Sequence, residues 1–141
     1  MTVYSSLNAV SVALYGLLNV VTLTALGVTV CDDIGQSTAF PMLFFEVQEK
    51  NLGGMGTKPA NKRVLEVDVR LHVYSQHGGM KEAQTILSAA IGLLRDPPPT
   101  ITGFSSWAIF HDEIIPLGDQ LVAGQKVKEL VGMARLYVEE A

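Results

Sequence analysis

The sequence predicts a single α+β domain over residues 1–141, with helices packed on one face of an antiparallel or mixed sheet. Two observations predict the two layers. Apolar and polar side chains alternate along residues 64–74, which is typical of a strand with one buried and one solvent-exposed face. Residues 80–94 repeat apolar side chains at spacings of three and four, as does a helix with one apolar stripe. The third observation is size, because 141 residues, 48% of them hydrophobic, suffice for one sizeable core.

The central strand and the helix that follows it should form most of this core. The residues expected on the covered face of the strand are Leu65, Val67, Val69, Leu71 and Val73. The apolar stripe of the helix consists of Met80, Ala83, Leu87, Ala90 and Leu94. We expect Leu87 to be buried against Val67 and Val69. The prolines at 97–99 end the helix, because proline cannot continue it.

No charged side chain occurs in the first 31 residues. A membrane span or a signal peptide would show such an uncharged run. Polar residues nevertheless recur along this stretch at helical spacing, which a span has little reason to keep. The polar side is Asn8, Ser11, Tyr15, Asn19 and Thr22, and the apolar side is Leu7, Val10, Leu14, Leu18 and Val21. The pattern favours a first helix, capped by Ser5 or Ser6 and running to about Asn19, over the membrane alternative.

Turn residues delimit the remaining elements. We predict a short helix at 20–26 ending at Gly27, a strand at 28–31, a polar turn region at 32–41 and a strand at 42–48. Residues 105–115 are predicted to be a strand, and 116–124 a connection with its turn at Gly118 and Asp119. A last strand spans 126–139. Its predicted core face is Leu130, Gly132, Ala134, Leu136 and Val138.

Residues 52–61 connect two predicted strands and contain three glycines and a proline. Connections of this length are uncommon in compact domains unless they are functional or disordered. Two interpretations stay open. The segment is either a surface loop without a role or a segment that orders on a partner through Leu52, Met55 and Lys58.

Composition and motifs argue against several classes of function. A net charge of −4 argues against a general nucleic-acid binder, which needs a basic surface. The single cysteine, Cys31, excludes an internal disulfide and a zinc-finger ligand set, and we expect a structural thiol. No phosphate loop, nucleophile elbow or zinc-binding histidine spacing is present, so no cofactor is expected. His72 and His77 are expected to be ordinary polar histidines. His111 and Glu113, predicted to share a strand face, leave a small enzyme as a remote alternative.

Several short motifs follow one another in a recognisable order. An opening Val-Ala-Leu-Tyr-Gly-Leu-Leu at 12–18 precedes Leu-Thr-Ala-Leu-Gly at 23–27. Next come Val-Cys-Asp-Asp-Ile at 30–34 and Ala-Phe-Pro-Met-Leu at 39–43. A strand ending in Leu-His-Val-Tyr-Ser at 71–75 is followed by Lys-Glu-Ala-Gln at 81–84, and Ala-Arg-Leu-Tyr-Val-Glu-Glu closes the chain at 134–140. In this ordered set the chain resembles the tail-completion, or tail-terminator, family of long-tailed double-stranded DNA bacteriophages.

The resemblance implies a virion structural protein of the head–tail junction, or neck, that assembles in the host cytoplasm and is not an enzyme. It implies a homo-oligomeric, six-fold ring that caps the tail tube, stops its polymerisation and joins it to the head connector. Double-stranded DNA would pass through the lumen without sequence-specific binding, and no membrane is involved. The nearest alternative is a head-closure or connector-adaptor ring subunit on the portal side.

The uncharged polar face of the first helix fits a ring. Asn8, Ser11, Tyr15 and Asn19 suit a neighbouring subunit better than bulk water, and cyclic assemblies supply such neighbours through heterologous interfaces. We therefore expect these residues at a subunit interface.

The wet face of the central strand also fits a ring. We expect Glu66, Asp68 and Arg70, together with Glu113, to line the lumen, because an acidic wall repels phosphate and keeps passing DNA from binding. A solvated outer face is the alternative, since any one-sided sheet shows the same alternation.

Overall fold

Five strands and three helices form the fold. The computed structural model describes residues 7–31, 39–51, 64–76, 80–95, 100–122 and 124–140. The helices are α1 (Leu7–Leu18), α2 (Val21–Thr24) and α3 (Lys81–Arg95), and the strands are β1 (Thr29–Cys31), β2 (Met42–Asn51), β3 (Val64–Ser75), β4 (Phe104–Val122) and β5 (Gln125–Glu140). The strand order is β1-β2-β3-β5-β4, with β1 and β2 parallel and every other pair antiparallel. The predicted α+β class, with helices on one face of a mixed sheet, is confirmed.

The main core lies between the sheet and the helices. α1 packs on β1 and β2, whereas α3 packs on β3 and β5 and also contacts β4. The alternation predicted for the central strand is confirmed, because all five predicted core residues of β3 are buried. The α3 stripe is confirmed as well, with Ala83, Leu87, Ala90 and Leu94 buried and Met80 partly buried against the same core.

Leu87 of α3 is packed directly over a glycine of β5. A Cβ added at Gly132 would lie 2.8 Å from Leu87 Cδ1, closer than real side-chain atoms approach. Gly132 pairs with Leu71 on β3. Leu87 is thus buried in the same cluster as Val67 and Val69, as predicted, and the absence of a side chain at Gly132 makes room for it.

The predicted connection at 116–124 is wrong, because β4 continues through this stretch to Val122. The register shifts between Pro116 and Gly118, and Gly118 has a positive φ of 77°. A proline is tolerated here because β4 is an edge strand, where its missing N–H removes no necessary ladder bond. A bulge next to it absorbs the extra residue. The turn residues therefore mark an irregularity within a strand and not its end.

The strict alternation predicted through His111 and Glu113 is interrupted. A register shift lies between them, and their backbones pair with Ala134 and Met133, which are consecutive residues of β5. A bulge therefore breaks the regular period of two from which the shared face was predicted.

The apolar side of α1 is confirmed for Val10, Leu14 and Leu18, which are buried, but Leu7 and Val21 are exposed. Val20 has an extended backbone, with φ −125° and ψ 169°, so α2 begins as a separate helix. The helical register of α1 does not extend to Val21, which explains its exposure. Among the described helices, none has both the length and the apolar content needed to cross a bilayer.

Candidate assembly surfaces

The face of the sheet turned away from the helices, called the open face below, carries the charged residues of the central strand. Glu66, Asp68, Arg70 and His72 alternate with the buried residues of β3 and therefore share this face. The structure brings together the three residues predicted to face a lumen, Glu66, Asp68 and Arg70. The open face has a polar character along the middle of the sheet.

The two acidic residues of β3 share one cation that the sequence analysis did not identify. Arg135 Nε donates to Asp68 Oδ1 at 2.9 Å and lies 3.5 Å from Glu66 Oε1. The hydroxyl of Tyr137 donates to Glu66 Oε1 at 3.3 Å. Arg135 and Tyr137 are the residues of β5 that pair with Asp68 and Glu66, so register alone brings these groups together. The acidic wall is thus partly neutralised by its neighbouring strand.

His72 is held between two carboxylates on neighbouring strands. Its Nδ1 lies 2.7 Å from Glu129 Oε2 and its Nε2 lies 2.7 Å from Glu46 Oε1. The ring stacks on Tyr74, at 6.3 Å between ring centroids, and contacts Phe44 at 5.3 Å. The contacts from both sides give the ring a single orientation. His72 therefore joins β2, β3 and β5 across the open face.

Glu129 is a buried acid with partners on both sides. Its exposed fraction is 7%, its Oε2 lies within hydrogen-bond distance of His72 Nδ1, and it accepts a hydrogen bond from the Tyr74 hydroxyl. Burial, followed by the charge of Glu129, raises the pKa of the Tyr74 phenol well above its ordinary value. This network borders a second apolar cluster on the open face, made of Cys31, Met42, Tyr74, Val122 and Val127. Cys31 is buried there, as expected for a structural thiol.

The hydrogen bonds and ion pairs of the open face join side chains of β2, β3 and β5. In the described part of the chain, no buried side-chain nitrogen or oxygen lacks a hydrogen-bond partner. Within the same ranges, no group of three or more His, Cys, Asp and Glu side chains is placed to hold a metal ion.

The outer face of α1 is uncharged and partly apolar. The predicted interface residues Asn8, Ser11, Tyr15 and Asn19 recur at helical spacing, and Val12 belongs to the same row. Asn19 Nδ2 donates to the Tyr15 hydroxyl at 3.3 Å, which orders the end of the row. We call this row the α1 stripe.

The edge strand β4 carries exposed apolar residues that the sequence analysis missed. Ile114, Leu117 and Leu121 are all exposed. Two of them lie in the stretch predicted to be a connection, so the strand pattern was not recognised there. Leu117, Asp119 and Leu121 occupy every second position, as residues on one face of a strand do. This spacing was the available signal.

The remaining predicted site residues are not placed. Leu52, Met55 and Lys58, and also His77, lie outside the described residues. Glu113 lies on the exposed edge strand β4.

The fold and its surfaces define an α+β structural subunit with a charged open face and a long edge strand. The family described as "Tail completion protein gp17" matches residues 12–120. The chain belongs to this family and is a phage tail structural protein. A search of curated proteins finds no match.

A solved structure shares the fold. The chain is similar to a protein of the "Virion of native gene transfer agent (GTA) particle", with a TM-score of 0.74 and 15% sequence identity. The match covers 97% of this chain and 99% of that one. At this identity the likeness describes the fold alone.

Proposed function

We propose that the chain is a tail terminator, a subunit of a six-fold ring that caps the tail tube, stops its polymerisation and joins it to the head connector. Membership of the tail completion family over residues 12–120 is the observation that carries this proposal. The protein acts as a structural part of the virion at the neck, assembles in the host cytoplasm and has no enzymatic activity or cofactor. The virion in which the similar solved protein occurs supports the same setting.

The open face lines the lumen in this proposal. Glu66 and Asp68 repel the phosphates of passing DNA, and their ion pairs with Arg135 hold them in place. Arg70 stands 3.8 Å from Glu46, so its charge is partly compensated within the open face. The α1 stripe meets a neighbouring subunit, and the segment with Leu52, Met55 and Lys58 meets the tail tube.

The mass of the purified protein in solution, measured by light scattering with and without its tail-tube protein, tests the ring. A ring, alone or only with tube protein, supports the proposal. A monomer under both conditions contradicts it.

A pull-down separates the terminator from a portal-side ring. We expect tail-tube protein to be retained and portal protein not to be, and Met55→Asp to weaken the retention of tube protein. Retention of portal protein in place of tube protein would indicate a connector adaptor.

The lumen assignment is tested by Glu66→Lys with Asp68→Lys, which should slow DNA ejection without blocking tail assembly. Gln84→Lys with Ser88→Lys adds the same side chains at exposed positions of α3 and serves as the control. Glu66→Gln with Asp68→Asn removes the charges without adding new ones and should slow ejection less. Normal ejection kinetics in the lysine variant would rule out the lumen assignment and leave the ring proposal standing.

A further inference from the structure

The helix layer leaves part of the sheet uncovered. A helix is about 10 Å across with its side chains and adjacent strands lie about 4.8 Å apart, so two helices cover about four strands. The sheet has five strands. α1 lies over β1 and β2, and α3 lies over β3 and β5 with a contact to β4. The strand that lacks a full cover is β4, at the edge opposite β1.

The uncovered part is the second half of β4, and its exposed side chains are apolar. Ile114, Leu117 and Leu121 have exposed fractions of 47%, 47% and 78%, and we call them the β4 strip. Ile114 pairs with Gly132, which lies beneath α3, so Ile114 is on the helix side of the sheet. Leu121 pairs with Lys126, and alternation along β5 places it on the same side. Leu117 lies at the register shift between them, where no strand partner fixes its face. Ile114 and Leu121 therefore continue the surface on which the helices pack.

The α1 stripe lies on the opposite flank of the molecule. Val12 and Tyr15 are its apolar members, with exposed fractions of 65% and 44%. The 12-residue helix contains no charged residue, so its outer face can enter an interface without burying a charge.

The charged groups beside the β4 strip form one small cluster. The single charged residue between 114 and 122 is Asp119. Lys128 Nζ lies 2.8 Å from Asp119 Oδ1, and this hydrogen bond holds the pKa of the Asp119 carboxyl below its ordinary value. Lys126, the exposed strand partner of Leu121, has its Nζ 4.0 Å from Asp119 Oδ2. The uncharged α1 stripe brings no like charge against these lysines. The open face, by contrast, carries several carboxylates and guanidinium groups.

We propose that α1 of one copy of this chain docks on the β4 strip of the next copy, as an additional helix of that copy's helix layer. The inference rests on the proposed ring. The two surfaces differ and lie on opposite flanks, which is the geometry of a heterologous contact that repeats around a closed ring. A strip that paired with itself would give a two-fold dimer. In this arrangement the helix layer continues around the outside of the ring and the open face is turned to the lumen.

Two complementary variants test this contact. Val12→Asp disables the α1 stripe and Leu121→Asp disables the β4 strip, and both positions are exposed, so thermal melting should show an intact fold. Each variant alone should be a monomer under the conditions in which the natural protein forms rings. An equimolar mixture should give a dimer of one copy of each and nothing larger, because one intact contact joins them and both outer flanks are disabled. Ser88→Asp, at an exposed position of α3, is the matched control and should still form rings.

The possible outcomes separate this inference from the ring proposal. Rings formed by either variant alone would overturn the contact but leave the ring standing, and so would a mixture that stays monomeric. A natural protein that is monomeric with and without tail-tube protein would contradict the ring and the contact together.

A second measurement does not depend on breaking the interface. Cys31 is buried, so cysteines placed at Val12 and Leu121 would be the accessible thiols. A short bismaleimide should link Val12→Cys to Leu121→Cys in a mixture of the two single variants and should link neither variant to itself. Linkage within either single variant would overturn the proposed pairing.

Discussion

The two faces of the sheet are built from the same strands but are held by different interactions. The helix face is a continuous apolar cluster in which Leu87 of α3 packs directly over Gly132 of β5. The open face is held by ion pairs and by the network of His72 with two carboxylates. Burial on the helix face therefore supplies most of the stability, whereas the paired charges of the open face link strands that are already in register and leave a polar surface.

Removing a core side chain should have the largest effect. Leu87→Ala should lower the free energy of unfolding by about 2–5 kcal/mol, because it removes buried methyl groups and leaves a cavity. Urea unfolding followed by circular dichroism measures the change. Leu26→Ala, at an exposed leucine outside both proposed contact surfaces, is the control and should change stability by less than about 0.5 kcal/mol. A small effect at Leu87 would mean that α3 docks through another face.

Breaking the open-face network should have the next largest effect. Glu129→Ala should lower the free energy of unfolding by about 1.5–3 kcal/mol, because Tyr74 and His72 lose a shared, buried hydrogen-bond partner. The same denaturation measurement applies, with Glu113→Ala on the exposed edge as control. Equal, near-zero changes in the two variants would show that the network does not stabilise the fold.

Adding one methyl group beneath α3 tests how tightly the helix face is packed. Gly132→Ala should lower the free energy of unfolding by about 1–3 kcal/mol through overpacking against Leu87. In a Leu87→Ala background the crowded atoms are gone, so Gly132→Ala should lower the free energy of unfolding much less. A double-mutant cycle measures this coupling, and strict additivity would contradict the direct contact.

The burial of Tyr74 on the open face lets us predict how the free energy of unfolding changes with pH. The pKa of Tyr74 is raised in the folded protein, mainly by burial, from an ordinary value of 10.0. Above about pH 10 the unfolded chain therefore binds fewer protons than the folded protein, and stability falls as the pH rises. The urea midpoint measured between pH 9 and 11 should decline less steeply in Tyr74→Phe than in the natural protein. Tyr15→Phe, on the exposed helix face, is the control, and an unchanged slope in Tyr74→Phe would exclude Tyr74 as the cause.

The exposed ion pairs of the open face should contribute least. Asp68→Asn should change the free energy of unfolding by no more than about 1 kcal/mol, because Asp68 and Arg135 are partly exposed and water screens their attraction. The difference between the natural protein and the variant should shrink further in high salt. A larger loss, insensitive to salt, would mean that this pair acts as a buried one.

Local periodicity accounts for the parts of the fold that were predicted. The alternation in β3 and the stripe of α3 are properties of consecutive residues, so they appear in the sequence without knowledge of any partner. The same is true of the core face of β5, where Leu130, Ala134, Leu136 and Val138 are buried as predicted. The interface and lumen residues were chosen on the same basis and stay predictions.

Partners across strands were not predictable in the same way. Glu129 is 57 residues from His72 along the chain, and Arg135 is 67 residues from Asp68. These groups meet because β3 and β5 pair in one particular register. The one available signal was that Glu129 occupies a strand position flanked on its own face by Val127 and Val131, where an acid without a partner would be unfavourable.

The sequence by itself determined the fold class, the central strand, the helix that covers it and the uncharged face of the first helix, because each follows from the spacing of neighbouring side chains. The tertiary structure alone decided that β4 runs past Pro116, that His111 and Glu113 fall out of alternation and that the β4 strip is left bare. Those outcomes depend on which strand lies at the edge of the sheet and on how far two helices extend across five strands. Edge position and layer coverage are properties of the assembled fold, and no local pattern carries them.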